Sequence, residues 1–278
     1  MTFNPNSRIM LHLGLGSFHR AHQAVYIQKL INSGDTSWVL AGGHLRPDMA
    51  EVIDALKNQG HYTLETILPS GEHQYEVIDA IRYVVPYEPS LAGLIEIGSH
   101  PATGIISFTV TEAGYYVDDK NNLDLSFADL KADIDRVRAG DVGQTIYGAL
   151  VTILRARIHS GAGKVTLLNC DNLRHNGERF RAGFLQFIDY INDAGLRAWV
   201  EANTTCPNDM VDRITPRPTA EVKARVKAAT GRDDEAALMG EDFLQWVIEE
   251  NFCAGRPAWE HVGVEMVASV SAHEEAKI

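Results

Sequence analysis

The sequence predicts an α/β fold of the Rossmann type: a doubly wound, mostly parallel sheet with a hairpin addition, followed by helical segments. Three observations carry that expectation. Short apolar runs alternate with helical patterns through the first half of the chain. The runs GIISFTVTE and KVTLLNC lack polar and apolar alternation, as do strands covered by helices on both faces. The earliest run ends in Gly14-Leu15-Gly16, the spacing of a nucleotide-binding turn.

The elements follow in order. Residues 9–13 are apolar and lead into the glycine turn, after which Ala21, Val25, Ile27, Leu30 and Ile31 recur at helical spacing. WVLAGG reads as a strand, followed by a helix from about Asp48 with Pro47 at its start and Val52, Ile53 and Leu56 inward. YTLETILPSGEHQYEVIDAIRYV contains a hairpin that turns at Pro-Ser-Gly-Glu. Helical patterns follow in QTIYGALVTILRARIH, ERFRAGFLQFIDYIND, AEVKARVKAAT and EDFLQWVIEENF. VGVEMVASV is one more β-rich run, and SAHEEAKI carries the acidic residues of a helical first turn.

The 278 residues hold 25 Lys and Arg against 37 Asp and Glu, a formal charge of -12 that repels nucleic acid and anionic membrane surfaces. No basic n-region precedes a long apolar run, and none reaches roughly 18 residues, so a soluble, unprocessed protein is expected. Cys170, Cys206 and Cys253 are odd in number and far apart, which argues against a disulfide framework or zinc ribbon and fits a reducing cytoplasm.

Gly14 and Gly16 would let a pyrophosphate approach the start of the next helix, although His19 stands where the third glycine of the usual pattern belongs. His19 and His22 share a helical face but lack a third ligand, so they read as packing histidines. Tyr116 and Lys120 have the spacing of a tyrosine-lysine pair, but Asp-Asp-Lys-Asn-Asn favours a loop. In NCDNLRHNG, the residues Asn169, Asp171, Asn172, His175 and Asn176 crowd the carboxyl edge of a buried strand, as a ligand site or as an Asx-rich turn. Asp212 and Arg213 could form a structural ion pair. Asp48 could bind a ribose diol and select NAD, although it lies beyond the usual offset of roughly 20 residues and Arg46 could welcome a 2′-phosphate. Lys277, taken alone, is a terminal surface lysine.

Read in order, GLGSFHRAHQAVY, FTVTEAGYY, NCDNLRHNGERF, NTTCPNDMVDRITPRP and GVEMVASVSAHEEAK resemble the polyol-specific long-chain dehydrogenases, the mannitol dehydrogenase family. In that family the turn reads Gly-x-Gly-x-Phe-x-Arg-Ala-His, matched by Gly14, Gly16, Phe18, Arg20, Ala21 and His22. The resemblance implies metal-independent, NAD-linked interconversion of a small-molecule sugar alcohol and ketose, D-arabinitol and D-xylulose first. It implies cofactor contacts from Gly14, Gly16, Phe18, Arg20, Asp48, Val110, Thr111 and Glu112. It further implies Lys277 as general base, Asn172 as donor to the reacting oxygen, Asp212 as a support and Glu274 as a proton relay.

Mannitol oxidation and hexuronate reduction are the alternative activities, and a non-catalytic NAD-binding module is the alternative for the chain as it stands. By resemblance, residues 1–270 form the dinucleotide-binding domain and 271–278 open a C-terminal helical domain. The family pattern Lys-x-x-x-x-Asn-x-x-His stops one residue after Lys277. A fragment or a truncated product is therefore expected, with Lys277 neither desolvated nor within reach of a substrate.

Overall fold

In a computed structural model, which describes residues 1–277, the first apolar run is β1 (Arg8–Leu13), buried beyond Arg8. The glycine turn leads to α1 (Ser17–Ala21) and α2 (Gln23–Asn32), then β2 (Trp38–Gly43) and α3 (Ala50–Gln59). β3 (Tyr62–Ile67) and β4 (His73–Ile78) form the expected antiparallel hairpin. Next come β5 (Ile81–Val84), α4 (Ala92–Gly98), β6 (Thr103–Phe108), α5 (Ala128–Arg138), α6 (Ile146–Ser160) and β7 (Val165–Asn169). The rest comprises α7 (Asn176–Tyr190), α8 (Ala194–Asn203), β8 (Thr204–Thr205), β9 (Asp209–Asp212), α9 (Ala220–Thr230), β10 (Leu238–Glu241), β11 (Gln245–Glu249), β12 (Glu265–Val267) and α10 (Ser271–Ala276).

The main sheet has the order β5-β2-β1-β6-β7-β8, and every neighbouring pair is parallel. The chain starts at β1, moves outward through β2 to β5, then returns to the other side of β1 at β6. That reversal opens a crevice beyond the carboxyl ends of β1 and β6. Because strand side chains alternate, Ile9, Leu11 and Leu13 join the core under α6 and α7, where Leu150, Leu154 and Phe180 lie. Met10 joins the opposite core with Ile27, Leu30 and Trp246. Two smaller sheets, β10-β3-β4 and β12-β11-β9, flank this second face.

Two elements depart from the sequence reading. EDFLQWVIEENF is not helical: β10 ends inside it and β11 follows, with Trp246, Val247 and Ile248 all buried. Burial on both faces, together with β-branched residues, suits a covered strand, and the antiparallel partner β9 is distant in sequence. The helix after the glycine turn is also broken. His22 (φ -125°, ψ -87°) separates α1 from α2, its buried Nε2 donating to the Gln245 carbonyl at 2.7 Å.

Candidate functional site at the carboxyl edge

The turn after β1 is built on two glycines with different backbone demands. Gly14 has φ +116°, a region L side chains rarely adopt, while its N–H donates to the Gly43 carbonyl at 2.8 Å. Gly16 is extended at φ -68° and ψ 175°, open to any residue. A Cβ on either would meet no atom within 4 Å beyond its own chain neighbours. The bare backbone faces a cavity of about 320 Å³ lined by His12, Gly14, Gly16, Phe18, His44 and Thr109. A second cavity, of about 390 Å³, shares Gly14, His44 and Thr109 and adds Asp48, Val110, Thr111 and Tyr116. A third, of about 290 Å³, extends past Arg46 and Tyr116 to Tyr87, Asp129 and Arg136.

Gly14, Gly16, Phe18, Asp48, Val110 and Thr111 thus gather where the sequence placed them. Arg20 does not join them. It is fully buried, its guanidinium donating to the Leu15 carbonyl at 3.1 Å and the Ala236 carbonyl at 2.6 Å, with the Tyr62 ring 5.4 Å away. Its role is to anchor the turn from beneath. Glu112 is also displaced: it is exposed and lines a different pocket with Tyr115, Asp118 and Arg179.

Among the lining residues that no motif pointed to are His44, Thr145 and Tyr116. Tyr116 has φ +50°, strained for a bulky residue, and burial raises its hydroxyl pKa. The loop reading of its spacing to Lys120 holds, since the Lys120 N–H donates to Asp118 Oδ1 at 2.8 Å in a turn.

The second cluster lies past β7, the neighbour of β6 in the sheet. Asn172, Arg174, Met210, Glu274 and Lys277 surround a pocket of about 140 Å³. Lys277 is held after all: Nζ lies 3.1 Å from Asp212 Oδ2 and donates to the Val211 carbonyl at 3.4 Å, leaving the side chain 36% exposed. Glu274 is buried, and its Oε1 accepts the His175 N–H at 2.9 Å, tying α10 to the Asn172 turn. Arg213 is not the partner of Asp212; it donates to the carbonyls of Ala21 at 2.7 Å and Glu241 at 2.9 Å.

The other Asx residues form the floor of that turn. Asn176 Nδ2 donates to the Asn169 carbonyl at 3.0 Å and to Asp209 Oδ1 at 2.6 Å, while its Oδ1 accepts the Asp209 N–H at 3.0 Å. Asp171 Oδ1 accepts the Leu173 N–H at 3.0 Å, and Oδ2 accepts the Tyr115 hydroxyl proton at 2.5 Å. Burial pushes the Asp171 carboxyl up and the Asp209 carboxyl well up. In NCDNLRHNG, Asn172 thus lines the pocket, while Asn169, Asp171 and Asn176 form the Asx-rich turn beneath it.

His19 and His22 form a hydrogen-bonded relay. The Gln245 carbonyl fixes the proton of His22 on Nε2, so Nδ1 accepts from Gln23 Nε2 at 2.9 Å, and Gln23 Oε1 accepts from His19 Nδ1 at 3.0 Å. Burial lowers both imidazoles to about 3. Among the described residues, no group of three His, Cys, Asp or Glu side chains is placed to hold a metal ion.

Residues 8–261 match the sequence profile described as "Mannitol dehydrogenase Rossmann domain". The D-arabinitol 4-dehydrogenase of Klebsiella pneumoniae is 52% identical over 274 residues, covering 98% of this chain and 59% of that protein. The mannitol 2-dehydrogenase of Cereibacter sphaeroides is 38% identical over 270 residues, covering 97% and 56%. The solved ternary complex of Pseudomonas fluorescens mannitol 2-dehydrogenase with NAD and D-mannitol superposes with a TM-score of 0.90 at 34% identity, covering 98% of this chain and 55% of that one. The chain spans about three-fifths of the length of the curated D-arabinitol 4-dehydrogenases it matches. A glycine turn at the crevice of a parallel sheet and a match across nearly every element agree, and the chain belongs to the mannitol dehydrogenase family.

Proposed function

We propose that this protein is an NAD-dependent polyol dehydrogenase that interconverts D-arabinitol and D-xylulose. The observation that carries the reading is Gly16. Its backbone angles and the open space around it leave the bare turn facing the cavity, which suits close approach of a pyrophosphate to the backbone. The cofactor is NAD, by likeness to the NAD-bound neighbour, and its substrate by likeness to relatives named D-arabinitol 4-dehydrogenase at 52% and 53% identity.

Gly14 and Gly16 would take the pyrophosphate, with Asp48 toward the ribose and Phe18, Val110 and Thr111 along the walls. The bound nicotinamide supplies a hydride acceptor for the carbinol carbon. Lys277 takes the hydroxyl proton as the C–H electron pair departs and the C=O bond forms. Asn172 donates its amide N–H to that oxygen, stabilising the charge that develops on it. Asp212, at 3.1 Å from Nζ, orients the Lys277 amine, which becomes the ammonium as it takes the proton, and buried Glu274 passes the proton outward. In this reading residues 1–270 are the dinucleotide-binding domain and 271–278 open a helical one. Among the described residues no helix is long and apolar enough to cross a membrane, and the three cysteines are free, in keeping with a cytoplasmic enzyme.

A panel of polyols tested with NAD, on the protein extended to the length of its relatives, checks the assignment by NADH absorbance. D-arabinitol should have the highest kcat/KM. Preference for D-mannitol or a hexuronate would replace the substrate, and turnover independent of NAD would overturn the reading.

A further inference from the structure

His44 is the first residue beyond β2, where the loop from that strand meets the glycine turn. It is 8% exposed, and its Nε2 lies 3.1 Å from the Leu15 backbone nitrogen. A backbone N–H can only donate, so Nε2 accepts and the neutral ring carries its proton on Nδ1. Nδ1 in turn lies 3.5 Å from Asp48 Oδ1, which can only accept. The Leu15 contact fixes the tautomer, and the ring so held sets Nδ1 beside the Asp48 carboxylate. Burial keeps His44 below the ordinary histidine range and thus uncharged near neutral pH, against an opposing pull from Asp48.

Asp48 is 63% exposed and has no other side-chain partner among the described residues. A carboxylate so exposed would sample several rotamers without the imidazole beside it. Two residues away, Arg46 lines the same cavity, and its guanidinium suits a phosphate. One loop therefore offers the cofactor both a carboxylate, which favours a ribose diol, and a cation, which favours a 2′-phosphate.

We propose that His44 is a positioning residue for cofactor discrimination: held by the Leu15 N–H, it keeps the Asp48 carboxylate at the cavity mouth, where it binds a ribose diol and repels a 2′-phosphate. The proposal rests on the dinucleotide reading of the cavity given above. It adds the device that makes an exposed aspartate selective.

The test is fluorescence titration of the 278-residue chain with NADH and NADPH. His44→Gln retains a distal acceptor for the Leu15 N–H but loses the donor to Asp48. Its preference for NADH should fall by about tenfold or more. His44→Asn places an amide donor near the Nδ1 position but loses the distal acceptor, so both affinities should fall together with their ratio kept. Asp48→Asn should lose the preference by itself, and adding His44→Gln to it should change the ratio no further, because the imidazole acts through the carboxylate. An unchanged ratio in folded His44→Gln would overturn the proposal, as would a further loss in the double variant. If Asp48→Asn also keeps the ratio, the ribose assignment has failed; if the unaltered chain binds neither nucleotide, the cavity reading itself has failed.

Discussion

Lys277 shows how much a single side chain gains from its neighbours. Taken alone it is a lysine near the end of the chain, yet its Nζ rests between the Asp212 carboxylate and the Val211 carbonyl and shares a pocket with Asn172 and Glu274. Order of motifs made Lys277, Asp212, Asn172 and Glu274 legible in the sequence, because each lies in a segment whose neighbours match the family pattern. His44, Tyr116 and Thr145 were not legible. Their meeting depends on loops from β2, β6 and the start of α6 converging in space, which no local spacing encodes. Arg20 was legible as a family residue and misplaced in role, since sequence does not tell whether a guanidinium faces a ligand or a buried carbonyl. For Lys277, in the protein extended to the length of its relatives, replacement by Ala is expected to lower kcat by roughly 10²-fold or more, the low end for loss of general-base catalysis. KM should change little, as the side chain acts on the proton rather than on uniform binding. Steady-state kinetics checks both, and intact turnover would remove Lys277 from the chemistry.

At the scale of the element, the broken helix α1–α2 decides how the turn is held. A continuous helix would carry His22 past the Gln245 carbonyl; the break lets its ring reach β11 and lets Gln23 bridge to His19. Both imidazoles are neutral in the fold, with pKa values about 3 against 6.5 for the free side chain, first because they are buried. The folded values are depressed, so the stabilisation is fully present above pH 6.5 and is lost as pH falls toward 3. Each ring contributes about 1.4 kcal/mol per pH unit to that loss. The raised carboxyls of Asp171 and Asp209 oppose this trend, so the cleaner measurement is the imidazole titration itself. NMR of labelled histidine should show His19 and His22 still neutral at pH 5 in the folded protein. Titration of either near 6.5 would contradict the relay. The same scale explains the failed helix in EDFLQWVIEENF, whose apolar residues fit either periodicity until β9 supplies the pairing.

For the whole molecule, the sheet order β5-β2-β1-β6-β7-β8 sends every strand's carboxyl end to one edge, and both clusters stand there. The alternation of buried strands and helices made this arrangement readable from sequence, as was the β3–β4 hairpin, while the pairing of β10 with β3, more than a hundred residues away, and that of β11 with β9 were not. The central claim is that the bare turn at Gly14 and Gly16 receives a nicotinamide dinucleotide. Gly16→Val tests it most directly, because the extended backbone accepts valine and no atom beyond the chain neighbours lies within 4 Å of the new Cβ, so the fold is expected to survive. NADH fluorescence titration of the 278-residue chain and of this variant, each confirmed folded by circular dichroism, should give saturable binding for the first and none for the second. Equal binding by a folded Gly16→Val protein would contradict the account.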